Sequence, residues 1–128
     1  ASAEVAYSSS ICLMMEMQWI NSGNFHDGEF FHGPFEIVEK DVPFILLMND
    51  GKTRPMDSRA LDFLQRFGAL TTVVDAKDYA LANAASSDVI TYFDPLMHTA
   101  VFRVFAEELS FIRQHPLSKR RYMWKIEY

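Results

Sequence analysis

One carboxylate and one imidazole in the first quarter of the chain have the residue types that proton chemistry needs. Glu16 lies within a run of otherwise apolar residues, and His32 stands directly before Gly33-Pro34. A carboxylate and an imidazole that meet in one site can move protons on a small polar substrate, which is general acid–base catalysis. These two residues are therefore candidate catalytic groups, provided that the fold brings them together.

Glu16 has two interpretations. In a helix its neighbours three and four positions away are all apolar: Cys12, Leu13, Trp19 and Ile20. An ionised carboxylate left unpaired in such surroundings is costly, so we expect it to have a partner. Glu16 is either a structural carboxylate near the helix end, salt-bridged or reached by solvent, or a general acid–base group at a functional site.

The residues around His32 predict an anchored loop. Gly33-Pro34 turns the chain sharply after the imidazole, and three phenylalanines can hold the loop in place: Phe30, Phe31 and Phe35. Loops held on a rigid scaffold often carry function. The alternative is a capping or core histidine without a functional role. Glu29, three residues earlier, is a candidate to orient the His32 ring or to cap the next short helix.

Three consecutive serines at the start of the first predicted helix, Ser8, Ser9 and Ser10, suggest a phosphate site. Hydroxyls and backbone N–H groups at a helix start bind phosphate, although polar residues there need no ligand. The histidines show neither the paired spacing nor the cysteine partners of a metal site, so we expect no metal. Cys12, the single cysteine, is interpreted as a small core residue in a reducing compartment.

Composition and charge exclude several classes of protein. The chain has 128 residues, 49% hydrophobic and 23% charged, which is typical of one globular domain or part of one. Its net charge of −5 argues against a nucleic-acid partner, because nucleic-acid binders present a basic surface. No apolar run could span a membrane and no signal peptide is present, so we expect no membrane partner and a cytoplasmic location.

Basic residues cluster only near the C-terminus. The cluster comprises Lys119, Arg120, Arg121 and Lys125, and the aromatic residues Tyr122, Trp124 and Tyr128 alternate with it. We expect residues 117–128 to form an ordered tail packed by its aromatic side chains. The charges of this tail would then face solvent or an acidic ligand.

Hydrophobic patterning predicts helices that alternate with short strands. Such alternation is typical of a parallel sheet with helices on both faces. The first helix is apolar on every side and is expected in the core. The predicted helices cover residues 5–20, 56–67 and 94–114, with Gly68 as the stop of the second; the predicted strands cover 42–49, 70–74 and 89–93; and 76–87 form a loop or short helix.

The order of the elements suggests that a first strand is absent. Folds of this class usually begin with a strand that feeds a ligand loop and a helix, whereas this chain starts on a helix and lacks an initiator methionine. We therefore expect a fragment, with a truncated domain over residues 1–116 and the aromatic tail over 117–128.

The spacing of Glu16 and the segment 29–34 resembles the second sugar isomerase (SIS) domain of phosphosugar enzymes. In that family a glutamate late in the first helix precedes a Glu-x-x-His-Gly-Pro loop by the same distance. Within the family the chain is most similar to the fructosamine-6-phosphate deglycases, through residues 15–20, 28–37 and 113–128. The resemblance covers essentially the whole chain. It implies a three-layer α-β-α fold of flavodoxin-like type with a mainly parallel sheet.

The resemblance implies a reaction and a set of site residues. Glu16 and His32 would be the acid/base pair, and a 6-phosphorylated fructose–amino acid adduct would be cleaved to glucose 6-phosphate and free amine. No metal or cofactor would be required. The candidate substrate-binding residues are Ser8, Ser9, Ser10, Glu29 and Arg121. The family often inserts the His-Gly-Pro loop into a neighbouring subunit's site, so a homodimer or higher homo-oligomer is expected.

Departures from the family pattern leave two alternatives. Relatives of the glucosamine-6-phosphate-synthase type carry a lysine where this chain has Leu13, and another in the segment that here reads Arg121-Tyr122-Met123. These differences favour the deglycase over an aldose–ketose phosphosugar isomerase. A non-enzymatic sugar-phosphate-sensing domain is the other alternative, but it needs no acid/base pair. The family also places its main phosphate loops in a first domain, so this chain alone is expected to have little activity.

Overall fold

The computed structural model describes residues 2–127, and within them two strands and several helices. The strands are β1 (Pro43–Met48) and β2 (Leu70–Asp75). The α-helices are α1 (Ala3–Ser8), α2 (Asp27–Phe30), α3 (Arg54–Arg66) and α4 (Asp94–Ile112), and a π-helix (Ser9–Met17) continues α1. Short 3₁₀ helices cover Pro34–Ile37, Ala76–Tyr79, Leu81–Asn83 and Ile90–Tyr92.

The two strands pair in parallel, which confirms the predicted sheet type. Pro43 lies opposite Leu70 and Met48 lies opposite Asp75. The prediction that the first strand is fully buried holds only for its second half, because Ile45 is 40% exposed whereas residues 46–48 are buried.

Helices cover both faces of the sheet. On one face Leu46 and Met48 pack with α3 and with Phe30; on the other, Leu47 and Val74 pack with α1, the π-helix and α4. Neighbouring residues of β1 serve opposite faces because side chains alternate along a strand. This arrangement confirms the predicted α/β class, with helix layers on either side of a parallel sheet.

The third predicted strand, over residues 89–93, is wrong. Ile90–Tyr92 forms a 3₁₀ helix, and the N–H groups of Val89 and Ile90 both donate to the carbonyl of Ser86. The segment packs on the loop that follows β1. A Cβ atom on Gly51 would lie 2.6 Å from the methyl carbon of Thr91, so only glycine permits this close approach. The β-branched residues therefore cover a loop instead of extending the sheet.

The first helix is present but differs from its prediction in type and burial. From Ser9 it is a π-helix, and the N–H of Gln18 donates to the carbonyl of Leu13, five residues earlier. The prediction that this helix is buried on all sides is wrong, since Tyr7 is 59% exposed. Trp19 then takes a left-handed conformation, with φ of 56°, and the chain leaves the helix.

The last helix and the tail close the described structure. α4 ends at Ile112, close to its predicted end, and His115 is buried. The expected packing of the tail by its aromatic residues is wrong, because Tyr122 and Trp124 are exposed; Tyr128 lies outside the described residues. No helix within residues 2–127 is long and apolar enough to cross a membrane.

Candidate active site

Glu16 lies near the end of the π-helix and pairs with the C-terminal tail. Its Oε1 atom is 2.8 Å from Nη2 of Arg120. The Arg120 side chain is 9% exposed and that of Glu16 is 27% exposed, so the pair is largely shielded from water. The expected partner of the lone carboxylate is thus an arginine more than a hundred residues later in the chain. The ion pair engages Oε1 of Glu16.

The tail is fixed against the end of the π-helix by a fully buried glutamine. The side-chain amide of Gln18 donates to the carbonyl of His115 at 2.8 Å, and Arg113 donates to the backbone carbonyl and the side-chain oxygen of Gln18. The ring of Trp19 packs edge-on against His115, with 4.5 Å between ring centroids. Burial, together with the positive charges of the neighbouring Lys and Arg side chains, lowers the pKa of His115, so its ring is neutral at pH 7.

Arg121 faces Trp19 and not Glu16. Its guanidinium carbon is 4.3 Å from the centre of the indole ring, and Nζ of Lys119 is 5.1 Å from the same ring. Such cation–π contacts orient the cations without neutralising them. Glu16, Trp19, Lys119, Arg120 and Arg121 thus form one cluster, which we name the tail corner. It joins a predicted catalytic residue and a predicted substrate-binding residue.

The three serines lie inside the helix and not at its start. α1 begins at Ala3, and the N–H of Ser9 already donates to the carbonyl of Val5. The prediction that these serines stand at a helix start is therefore wrong. The hydroxyl of Ser10 is 3.0 Å from that of Ser22 and ties the helix to the following loop. Ser8 and Ser9 line a groove of about 460 Å³ between this helix and α4, with Arg103 also in its wall.

His32 is exposed in a turn directly after α2. Its N–H donates to the carbonyl of Glu29 at 2.8 Å. The predicted aromatic anchor is confirmed: three phenylalanine rings surround Phe63 of α3 with centroid distances of 5.9, 5.5 and 5.7 Å, namely Phe30, Phe31 and Phe35. Gly33 has φ of 145°, a conformation that side chains disfavour, so glycine is needed at the turn that follows the imidazole.

Glu29 does not orient His32. Its carboxylate lies 3.6 Å from the ring of His26, and both side chains are more than half exposed. An exposed pair of this kind contributes little to stability. No group of three or more His, Cys, Asp or Glu side chains in residues 2–127 is arranged to hold a metal ion.

Known proteins similar to this chain include two deglycases. The fructosamine deglycase of Bacillus subtilis is 52% identical over 124 residues, which are 97% of this chain and 38% of that protein. The fructoselysine 6-phosphate deglycase of Escherichia coli O157:H7 is 31% identical over 118 residues, 92% of this chain and 33% of that protein. The chain thus spans little more than a third of these relatives. No protein-family model matches it.

A solved structure defines the fold. The crystal structure of a Salmonella typhimurium protein assigned to the phosphosugar isomerases matches with a TM-score of 0.95 and 47% identity, over 99% of this chain and 39% of that chain. The chain has the SIS fold of the phosphosugar isomerases. A glutamine–fructose-6-phosphate aminotransferase of Mycolicibacterium smegmatis is more distant, with 28% identity over 122 residues, 88% of this chain and 19% of that protein.

The SIS domain places its predicted site residues in separate regions. Glu16 and Arg121 meet in the tail corner, Ser8 and Ser9 line the groove beside α4, and Glu29 and His32 lie at the α2 turn. Within residues 2–127 no ion pair joins Glu16 to His32.

Sequence reasoning missed the role of Arg120 in this SIS domain. The sequence pattern places Arg120 only in a basic cluster. The signal was nevertheless present, because a carboxylate among apolar residues needs a positive partner and the tail holds the one concentrated group of cations.

Proposed function

We propose that this SIS domain is part of an enzyme, a fructosamine-6-phosphate deglycase, which cleaves 6-phosphofructosyl-amino acids to glucose 6-phosphate and free amino acid. The observation that carries the proposal is the Glu16–Arg120 pair in a chain that is 52% identical to a fructosamine deglycase. The second curated relative, a fructoselysine 6-phosphate deglycase, supports a phosphorylated substrate. The aminotransferase is less similar, so the isomerase alternative has weaker support.

The proposed chemistry needs two proton transfers at carbon, each coupled to one at oxygen or nitrogen, and one hydrolysis. A base removes a proton from C1 of the open-chain ketoamine while an acid protonates the C2 carbonyl oxygen, and the electron pair moves to form an enaminol. Protonation at C2, with loss of the N–H proton, then gives an imine between C1 and the amine nitrogen. Water adds to C1 and the amine leaves, which yields the aldehyde of glucose 6-phosphate. Glu16 and His32 supply the acid and base for the proton transfers.

Substrate contacts are proposed for the residues with free polar groups. Arg121 and Lys119 keep their positive charges while they stack on Trp19, so they suit an anionic group of the substrate. Ser8 and Ser9 line the groove beside α4, and the Ser8 hydroxyl, which donates to the carbonyl of Val5 at 3.2 Å, can still accept a hydrogen bond. Ser10 and Glu29 are weaker candidates because Ser22 and His26 already engage them.

We infer that the complete protein is a homo-oligomer in which His32 acts in a neighbouring subunit's site. Glu16 and His32 belong to separate regions of one chain, and His32 is exposed. The outer face of α4 also exposes large apolar residues, with Leu96 66% and Phe111 83% exposed. Apolar faces of this kind are common at protein–protein contacts.

Product identification tests the proposed activity. The complete protein that carries this domain is incubated with a 6-phosphofructosyl-amino acid, and both glucose 6-phosphate and free amine are followed. A deglycase releases the two in equal amounts. Interconversion of sugar phosphates without free amine would establish the isomerase instead. Ligand binding with no turnover would favour the sensor.

A further inference from the structure

The Glu16 carboxylate is held from one side by a single tail residue. Nη2 of Arg120 is 2.8 Å from Oε1 of Glu16, and Nη1 of Arg120 donates to the carbonyls of Leu117 at 2.6 Å and Lys119 at 2.9 Å. The guanidinium thus bridges the tail backbone and the carboxylate. Its Nε atom is buried and has no hydrogen-bond partner within residues 2–127, so Nη1 and Nη2 make the hydrogen bonds that hold the guanidinium.

The position of Arg120 is itself fixed by the fold. The tail is locked to the end of the π-helix because the fully buried Gln18 donates to the carbonyl of His115 and accepts from Arg113. Arginine presents a rigid planar fork of donors, which makes its contacts with a carboxylate and carbonyls directional. The adjacent Arg121 stacks on Trp19, so the two arginines serve different surfaces of the tail corner.

We propose that Arg120 is a positioning residue that orients the Glu16 carboxylate through Oε1 for proton transfer at Oε2. This inference rests on the proposed function. Arg120 does not touch the substrate, and its whole effect on the rate passes through Glu16. Precise placement of a reacting group matters, because a misplacement of about 1 Å can cost about 10²-fold in rate.

A double-mutant cycle in the complete protein tests this role. We expect Arg120→Met to lower kcat about 10²-fold with KM nearly unchanged, since the loss concerns orientation of a reacting group and not substrate affinity. Arg120→Lys keeps the charge and should recover part of kcat. In a Glu16→Gln background, Arg120→Met should cost nothing more, because the group it orients is already lost. Lys125→Met, an exposed tail cation, is the matched control.

Several outcomes would overturn the proposal. One is a wild-type kcat in Arg120→Met, and another is a change in KM with no change in kcat. The third is a loss of kcat from Arg120→Met that is equally large in the wild-type and the Glu16→Gln backgrounds. If Arg120→Met fails to fold, kcat of Arg120→Lys is compared in the wild-type and the Glu16→Gln backgrounds, and the same outcomes apply. If the wild-type protein releases no glucose 6-phosphate, the proposed function fails instead. Additive changes in Tm across the Glu16→Gln and Arg120→Met cycle would then overturn the coupling itself.

Discussion

Adjacent arginines in the tail carry out different tasks at the scale of single residues. Arg120 is 9% exposed and neutralises Glu16, whereas Arg121 is exposed and rests on the indole of Trp19. A cation that keeps its charge and remains accessible is suited to bind an anionic group of the substrate.

Arg121→Met should therefore weaken substrate binding more than catalysis. We expect KM to rise about tenfold with kcat within about threefold of wild type, because uniform binding is lost while the acid–base groups stay in place. Steady-state kinetics on the complete protein measure both constants. Lys125→Met should behave like wild type, and an unchanged KM in Arg121→Met would remove Arg121 from the binding site.

Asp27, in the short helix before His32, pairs its carboxyl group with that of Asp57 in α3. It lines a cavity together with Asp57, to which it hydrogen-bonds, and Asp57 accepts the backbone N–H of Asn49 at 2.8 Å. Burial raises the pKa of Asp27 to about 7, and the hydrogen bond and negative charge of Asp57 add to the shift. The folded protein therefore keeps a proton that the unfolded chain has released.

The stability of the protein should fall as pH rises from about 4 to about 7, because in this window the folded state holds the Asp27 proton and unfolding releases it, so a higher pH favours the unfolded chain. Because Asp27 is partly exposed, we expect roughly 1–2 kcal/mol, less than the full shift would imply. Asp27→Asn mimics the protonated state and should be more stable than wild type by this amount at pH 8 but equal at pH 4. Urea unfolding across this pH range measures the difference.

The comparison of variants isolates Asp27 from other groups. Burial lowers the pKa of His98, so that group destabilises the fold as pH falls and opposes the Asp27 effect. It contributes equally to wild type and to Asp27→Asn and cancels in their difference. Asp62→Asn on the exposed side of α3 is the matched control. Equal stability of Asp27→Asn and wild type at both pH values would contradict the retention of a proton by Asp27 in the folded state.

At the scale of elements, periodicity predicted the structure where one face of an element packs on the sheet. Strands β1 and β2 and helices α3 and α4 lie within a few residues of their predicted bounds. The segment 89–93 shares the β-branched composition of a strand, but its partner is a loop at Gly51, and local composition does not encode such a partner.

The π-helix also lay beyond sequence reasoning. A shift from four-residue to five-residue hydrogen bonding changes no residue type, yet it decides which neighbours surround Glu16. The pairing of Arg120 with Glu16 was also not predicted, because the two residues are distant in sequence. By contrast, the aromatic anchor of the His32 loop was predicted because all its predicted members lie within six consecutive residues.

The turn after His32 depends on the backbone freedom of Gly33. At φ of 145° an added Cβ would meet no atom of residues 2–127 within 4 Å, so the cost of Gly33→Ala is conformational and not steric. We expect a loss of about 1–3 kcal/mol in unfolding free energy or a displaced loop. Chemical denaturation together with kcat measures both results. Gly23→Ala, where the nearest atom belongs to the Phe25 ring, is the control, and a wild-type kcat and stability for Gly33→Ala would contradict the account.

At the scale of the whole molecule, the separation of Glu16 from His32 predicts shared active sites between subunits. If each site takes Glu16 from one subunit and His32 from its partner, a mixed dimer of Glu16→Gln and His32→Asn holds one intact site. Random re-association of the two inactive variants should then recover about one quarter of wild-type activity. Activity after co-refolding measures this, and no recovery from well-folded mixed dimers would place both residues in one subunit's site.

The central claim is that Glu16 and His32 are the acid/base pair of a phosphosugar-amine deglycase. The most direct test is the kcat for glucose 6-phosphate release by Glu16→Gln and His32→Asn in the complete protein, with Glu4→Gln and His26→Asn, at exposed residues of the same two types, as controls. Loss of general acid–base catalysis should lower kcat by about 10²–10⁴-fold in each variant and in neither control. A kcat within about threefold of wild type for either variant would contradict the claim for that residue.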